Sequence, residues 1–148
     1  ILKHKELTLE YQQNLLSEVG SALAHFHQSG WCHGDFKWSN ILIDGVIGER
    51  HEKISFIDLD GVSRLYGLND RSSRGRDLAR FIVNAEDYNI DEAIVRSFIN
   101  AYALSHGTSV LENLRAATPA LKKLRKRHDE KYGLRRTSFY KNETDAGA

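Results

Sequence analysis

The feature that most constrains the fold is a polar loop at residues 33–40, which lies between two apolar stretches. It reads His-Gly-Asp-Phe-Lys-Trp-Ser-Asn. A strand-like run at residues 41–43 follows directly, and a second run at residues 54–57 ends in Asp58-Leu59-Asp60-Gly61. The two runs are expected to pair as a hairpin with a polar tip at residues 48–52. The sequence therefore predicts one hairpin flanked by two carboxylate-bearing turns.

Three side chains of these turns are of the types that phosphoryl transfer requires. Asp35 can orient an attacking hydroxyl and accept its proton, while Asn40 and Asp58 can hold the magnesium ions that bridge phosphates. Taken alone, the turn after Asp58 fits a purely structural role equally well, because Gly and Asp are common turn residues. The order of helix, His-Gly-Asp, Lys, Asn, hairpin and Asp resembles the catalytic loop of the protein-kinase-like phosphotransferases, and this resemblance favours the catalytic interpretation.

Composition is that of a soluble globular domain with a real core. The 148 residues are 41% hydrophobic and 28% charged, with a net charge of +1, which argues against disorder of the whole chain. No apolar run approaches the ~20 residues that cross a bilayer, and no signal peptide is visible, so we expect a cytoplasmic protein. Cys32 is the single cysteine; it excludes an internal disulfide and is expected to be a buried structural thiol.

Apolar residues recur at three- and four-residue steps from Leu9 to Gln28, which predicts a long helix. Gly30 is expected to end it in the left-handed conformation. His25 and His27 lie two residues apart and so on different faces of this helix, which excludes a shared metal. We expect one of them to be packed and the other to be solvated.

Three further helices are predicted after the hairpin. Residues 62–76 are polar and interrupted by glycine and serine, so we expect a loop there and a buried helix that starts at Asp77. Asp91 is expected to cap the next helix, and Ser109 to open the last one in a Ser-x-x-Glu capping box. Pro119 is expected to kink or divide that last helix.

With these motifs in place, the chain resembles the C-terminal lobe of the protein-kinase-like fold, and most closely the lipopolysaccharide core (Kdo or heptose) kinase family. The resemblance covers residues 15–98. It is carried by the Ala-His-Phe-His end of the first helix, the loop from His33 to Leu42, the turn from Phe56 to Gly61, and Arg76-Asp77-Leu78-Ala79-Arg80. It implies an α+β, mainly helical fold in which a small β-hairpin carries the catalytic and metal-binding loops.

The resemblance also implies roles for single residues. Asp35 would be the catalytic base, and Lys37 a cation close to the transferred phosphate, although a solvated surface lysine is the alternative. Asn40 and Asp58 would bind ATP through Mg²⁺. His33 would support the loop by packing and hydrogen bonding, and Asp77 would bind the backbone amides of the loop from below.

The chain departs from the family pattern in two respects. The first is that Asp60 holds the third position of the Asp-Phe-Gly counterpart, with glycine displaced to Gly61, so that Asp60 could either join the metal site or only hold the turn. Gly34, where typical protein kinases have arginine, is a point of resemblance to small-molecule kinases. The second departure is larger. No glycine-rich phosphate loop occurs before His33. We therefore expect residues 1–128 to form a C-terminal lobe of a longer polypeptide whose N-terminal lobe is missing here, and residues 129–148 to form a basic and polar tail.

The stretch between Lys122 and Arg136 is dense in cations. It could contact an anionic membrane surface at the inner face of the cytoplasmic membrane, or a phosphorylated glycolipid, with Leu121, Leu124 and Tyr132 adding apolar surface. A solvated helix face followed by a tail is the alternative. Because aromatic and basic residues do not interleave here, nucleic acid is the weakest option.

Together these features predict an ATP-dependent phosphotransferase that phosphorylates a sugar hydroxyl, with ATP and a glycan or glycolipid of the lipopolysaccharide core as partners. Two alternatives remain. One is an atypical protein kinase, and the other is a non-catalytic module that kept the fold. The isolated chain is expected to be inactive.

Overall fold

The computed structural model describes residues 7–45, 53–135 and 137–145. Within these ranges the chain forms five α-helices: α1 (Leu9–Gln28), α2 (Asp70–Asp87), α3 (Glu92–His106), α4 (Val110–Tyr132) and α5 (Lys141–Asp145). Four short strands form two antiparallel pairs: β1 (Trp31–Cys32) with β4 (Ser63–Arg64), and β2 (Ile41–Asp44) with β3 (Lys53–Phe56). The predicted mainly helical α+β class is confirmed. The predicted hairpin tip at residues 48–52 lies outside the described residues.

Helices α1 and α3 form one tightly packed pair. The bounds of α1 match the prediction, and its N-terminus is capped by Thr8, whose hydroxyl accepts a hydrogen bond from the Tyr11 amide. Gly20 faces the backbone of α3 so closely that a Cβ atom would collide with the carbonyl oxygen of Phe98. The glycine therefore sets the distance between the two helices.

Helices α2 and α4 form a second pair with the same device. A Cβ atom at Gly75 would collide with the carbonyl oxygen of Ala116. Helix α2 begins at Asp70, seven residues before the predicted start at Asp77. The prediction of a loop up to Arg76 was wrong, because Gly75, which looked like a helix breaker, is a contact residue inside a buried turn of the helix.

Helix α4 begins with a capping box and is continuous from Val110 to Tyr132. The capping box is confirmed: the Ser109 amide donates to Oε2 of Glu112 over 2.8 Å, and the Glu112 amide donates to the Ser109 hydroxyl over 3.1 Å. The helix runs through Pro119 without interruption, so the proline does not divide it.

The core is centred on stacked aromatic rings that reach from the polar loop into the helices. Phe36 is fully buried and stacks on Phe81 and Phe98, whose own ring centroids lie 3.8 Å apart. Trp38 also stacks on Phe81 and donates its indole N–H to the Phe81 carbonyl oxygen. Burial of a phenylalanine ring contributes about 1.5–3 kcal/mol, so Phe36 anchors the middle of the loop.

The segment after α4 folds back onto the helices. Glu86 of α2 is buried, and its carboxylate accepts hydrogen bonds from Arg125, Arg135 and the backbone amide of Phe139. The side chain of Phe139 is buried as well. Helix α4 extends past residue 128 to Tyr132. Arg135 and Phe139, which belong to the predicted tail, pack on the domain.

The apolar residues expected near the basic stretch belong to the core. Leu121 is fully buried and Leu124 is 9% exposed, so the expectation that these two leucines offer surface for membrane docking was wrong, whereas Tyr132 is exposed. Among the described residues, no helix is both long and apolar enough to span a bilayer.

Candidate functional site

The polar loop is held from below by one buried carboxylate. Asp77, which is 0% exposed, accepts the backbone N–H of His33 on Oδ2 over 2.7 Å and the backbone N–H of Gly34 on Oδ1 over 2.8 Å. A carboxylate that accepts two backbone amides fixes the position of both peptide groups. The predicted role of Asp77 is confirmed, and the next residue of the loop, Asp35, is positioned by it.

Asp77 is in turn held by a chain of buried side chains that the sequence did not reveal. Nε2 of His27 lies 2.9 Å from Oδ2 of Asp77, and Nδ1 lies 2.7 Å from the hydroxyl of Tyr102. A carboxylate oxygen accepts, so Nε2 of His27 donates to Asp77, and Nδ1 shares a second hydrogen bond with the Tyr102 hydroxyl. Burial raises the pKa of Tyr102 to about 12, which keeps that hydroxyl protonated, and Arg74 donates to its oxygen.

His33 joins the loop to the end of β3. The ring is fully buried, Nε2 lies 2.9 Å from the carbonyl oxygen of Ile57, and the Asp35 amide donates to Nδ1 over 3.3 Å. Since Nδ1 accepts, Nε2 carries the proton and donates to Ile57. The predicted supporting role of His33 is confirmed.

Gly34 of the loop and Gly61 of the turn after Asp58 lie in close contact. Gly34 has a φ of +84°, in the left-handed region, and a Cβ atom there would collide with the carbonyl oxygen of Gly61. Gly61 in turn packs against the backbone of His33. The loop and the turn after Asp58 therefore approach backbone to backbone, and a side chain at Gly34 would separate them.

Asp35 carries two cationic neighbours. Nζ of Lys37 lies 2.8 Å from one carboxylate oxygen, and Nε of Arg80 lies 3.2 Å from the other. The carboxylate is about one-third exposed. Lys37 is thus paired with Asp35 rather than free in solvent. Arg80, which lies one turn after Asp77 on α2, is a further neighbour of the site, and the motif did not indicate this role.

Asn40 lies at the end of the loop and is buried. Its side-chain Nδ2 donates to the backbone carbonyl of Asp35 over 2.9 Å, and its backbone carbonyl accepts the Ile57 amide over 2.9 Å. Because the amide nitrogen is occupied, the side-chain oxygen is the atom that Asn40 can offer to a cation. The Ile57 bond brings the start of Asp58 next to this loop.

Asp58 adopts a conformation that is uncommon for a residue other than glycine. Its φ of 59° and ψ of 62° are left-handed, its side chain makes no capping hydrogen bond, and the residue is exposed. A left-handed aspartate costs free energy and persists where its surroundings fix it, which is frequent at functional sites. In the described ranges, no three or more His, Cys, Asp or Glu side chains are grouped as a metal site.

The family model described as the lipopolysaccharide kinase (Kdo/WaaP) family matches residues 1–102. The chain belongs to this family. The resemblance given by the motifs is confirmed, and membership of a kinase family supports kinase activity in general. The matched residues include α1, the polar loop and α2, whereas α4 and the C-terminal segment lie beyond them. A search of curated proteins finds no match.

Proposed function

We propose that the chain provides the catalytic loop of an ATP-dependent phosphotransferase whose acceptor is a sugar hydroxyl of the lipopolysaccharide core or a related glycan. The observation that supports this most strongly is the placement of Asp35. Its carboxylate is accessible, while the loop beneath it is fixed by buried Asp77. Such fixed geometry is what a phosphotransferase needs, since positioning and electrostatics supply most of its catalysis.

In this proposal Asp35 accepts the proton of the attacking hydroxyl. Its ion pairs with Lys37 and Arg80 leave acceptor positions free for the hydroxyl, because the two oxygens of a carboxylate offer about four acceptor positions. The hydroxyl oxygen would bond to the γ-phosphorus of ATP while the bond from that phosphorus to the bridging oxygen breaks and ADP leaves, and Asp35 would hold the hydroxyl in line and take its proton. Lys37 then lies beside the phosphate and stabilises the charge on its oxygens.

The donors near Asp35 fit a magnesium ion. The amide oxygen of Asn40 and the carboxylate of Asp58 are hard oxygen ligands, and exposed Asp60 is a further candidate. Two protein oxygens suit Mg²⁺, which usually keeps several waters and binds substrate phosphates. When bound, Mg²⁺ and ATP would supply the transferable phosphate and neutralise part of its charge. Asn40 and Asp58 are therefore the proposed cofactor-binding residues.

Two other functions were open from the sequence. A non-catalytic module has no chemical need for Asp35, Asn40 and Asp58 together, so their presence favours an enzyme. An atypical protein kinase remains the competing catalytic function. The contact between Gly34 and Gly61 leaves no room for the arginine of typical protein kinases, which favours a small-molecule or glycan acceptor.

A cytoplasmic location with peripheral contact at an anionic membrane surface is part of the proposal. In the stretch of residues 122–136, Arg125 and Arg135 are bound to Glu86, and residue 136 lies outside the described ranges. The exposed cations that remain for a membrane are Lys122, Lys123, Lys126, Arg127 and Lys131.

The experiment that tests the acceptor class compares two substrates of the purified full-length protein. Lipopolysaccharide core oligosaccharide and a general protein-kinase substrate are each incubated with ATP and Mg²⁺, and ³¹P NMR detects new phosphomonoesters. A new phosphomonoester on the oligosaccharide that disappears when EDTA is added is the expected result. Phosphorylation of the protein substrate alone would contradict the proposal.

A further inference from the structure

A small cavity beside the polar loop is lined by cations. It has a volume of about 150 Å³ and lies between α2 and α4, where it is bordered by Gly34 of the loop. Arg76, Arg80, Lys123 and Arg127 line it, and no carboxylate does. The cavity therefore carries a strong positive charge, and Gly34 at its border is the residue that precedes Asp35 in the chain.

The fold brings the four cations together in a regular way. Arg76 and Arg80 are one helical turn apart on α2, and Lys123 and Arg127 are one turn apart on α4, so each pair projects from one side of its helix. The close contact of Gly75 with Ala116 holds the two helices together just before the cavity. The cluster is thus a consequence of the helix pairing.

These charges are poorly compensated by the protein. Arg80 shares Asp35 with Lys37, and Arg76 donates to the hydroxyl of Ser73. In the described part of the chain, no carboxylate forms an ion pair with Arg76, Lys123 or Arg127. Like charges held this close repel one another, and an anion in the cavity would relieve that repulsion.

The size of the cavity limits the ligand to one anionic group. Sites for drug-sized ligands span roughly 300–1,000 Å³, so this cavity is too small for a nucleotide or a glycan. Arginine and lysine together suit a phosphate, which accepts several charge-assisted hydrogen bonds. The proposed magnesium ligands Asn40 and Asp58 do not line the cavity, so it is separate from the site proposed for the ATP phosphates.

We propose that this cavity binds a phosphate group already present on the acceptor, and that the bound phosphate orients the acceptor hydroxyl toward Asp35. The inference rests on the proposed function, since it assigns the substrate class as a phosphorylated glycan. A phosphate of the nucleotide is the other source of the same chemistry, and the test distinguishes the two.

The test is a calorimetric titration of the 148-residue chain with inorganic phosphate, glucose 1-phosphate and ATP with Mg²⁺. The double variant Lys123→Gln/Arg127→Gln is compared with a control, Arg71→Gln/Arg115→Gln, which removes two exposed charges from the same helices outside the cavity. Because charge-assisted hydrogen bonds are strong, we expect the cavity variant to bind phosphate and glucose 1-phosphate about tenfold more weakly. The control and Lys123→Arg should bind like the wild type.

Two results would overturn the inference. One is an absence of saturable phosphate binding to the wild type, or equal losses in the cavity variant and the control. The other is a loss of ATP affinity in the cavity variant as large as its loss of glucose 1-phosphate affinity, which would assign the cavity to the nucleotide. The titration requires no turnover, so a failure of the proposed phosphotransfer leaves it readable, and circular dichroism verifies the fold of each variant.

Discussion

Removal of the Asp77 carboxylate is expected to release the catalytic loop from α2. In Asp77→Ala, three donors lose their acceptor: the amides of His33 and Gly34 and Nε2–H of His27. Each unsatisfied buried donor costs about 1–3 kcal/mol. Because water can reach the partly buried Gly34 amide, we expect a loss of roughly 3–5 kcal/mol in the free energy of unfolding. That is a large share of the ~5–15 kcal/mol of a typical domain.

Urea unfolding measures this loss, with Glu18→Ala as the control because Glu18 is an exposed carboxylate on α1. Asp77→Asn retains one acceptor oxygen and is expected to lose less, which keeps the test usable if the alanine variant does not fold. Amide hydrogen exchange supplies a second readout, since the His33 and Gly34 amides should lose protection. A loss below about 0.5 kcal/mol, the usual range for surface substitutions, would refute the reasoning.

Three further predictions concern the surroundings of the loop. Tyr102→Phe removes the hydroxyl that is hydrogen-bonded to both His27 and Arg74, so urea unfolding should show a loss of about 1–3 kcal/mol, whereas Tyr132→Phe at an exposed position should show none. Asp58→Gly relieves a left-handed residue, so stability should be retained or rise by up to about 1 kcal/mol while magnesium-dependent activity of the full-length protein is lost; unchanged activity would exclude Asp58 as a ligand. Burial, aided by the charge of Arg74, lowers the pKa of His106 below 6.5. As the pH falls, His106 is therefore protonated in the unfolded chain before it is protonated in the folded chain. The contribution of neutral His106 to the free energy of unfolding is present in full above pH 6.5 and is lost as the pH drops from there toward the folded pKa. His106→Gln should weaken this dependence in unfolding titrations, and an unchanged slope would exclude His106 as its source.

Elements with local signals could be predicted from the sequence. The periodicity and Gly30 fixed both ends of α1, and the caps at Asp91 and Ser109 located α3 and α4, because capping involves residues only two or three positions apart. The His33 role followed from the motif. These predictions succeed because the residues whose interactions decide them lie close together along the chain.

The start of α2 was mispredicted because a distant contact decides it. Gly75 lowers helix propensity by about 1 kcal/mol relative to alanine, and the local pattern therefore indicated a break. In the structure its missing side chain allows α4 to pack closely at Ala116. Burial of the α2 face outweighs the local cost, and nothing near Gly75 in the sequence reveals this.

The support beneath the site was also hidden, because its members lie far apart along the chain. His27 lies 50 residues from Asp77 and 75 residues from Tyr102. The spacing of His25 and His27 indicated only that one of them is buried. Likewise, Glu86 and the arginines that bind it lie 39 and 49 residues apart, so the docking of the C-terminal segment had no local signal.

The central claim is that Asp35 accepts the proton of the acceptor hydroxyl, and turnover of Asp35→Asn in the full-length enzyme tests it most directly. Asparagine keeps the shape but cannot act as the base, so turnover should fall by about 10²–10⁴-fold. The ion pairs of Asp35 are partly exposed and contribute at most about 1 kcal/mol, so the free energy of unfolding should fall by no more than about that amount. Asp44→Asn, at an exposed position of β2, should retain wild-type turnover. Full turnover by Asp35→Asn would contradict the assignment.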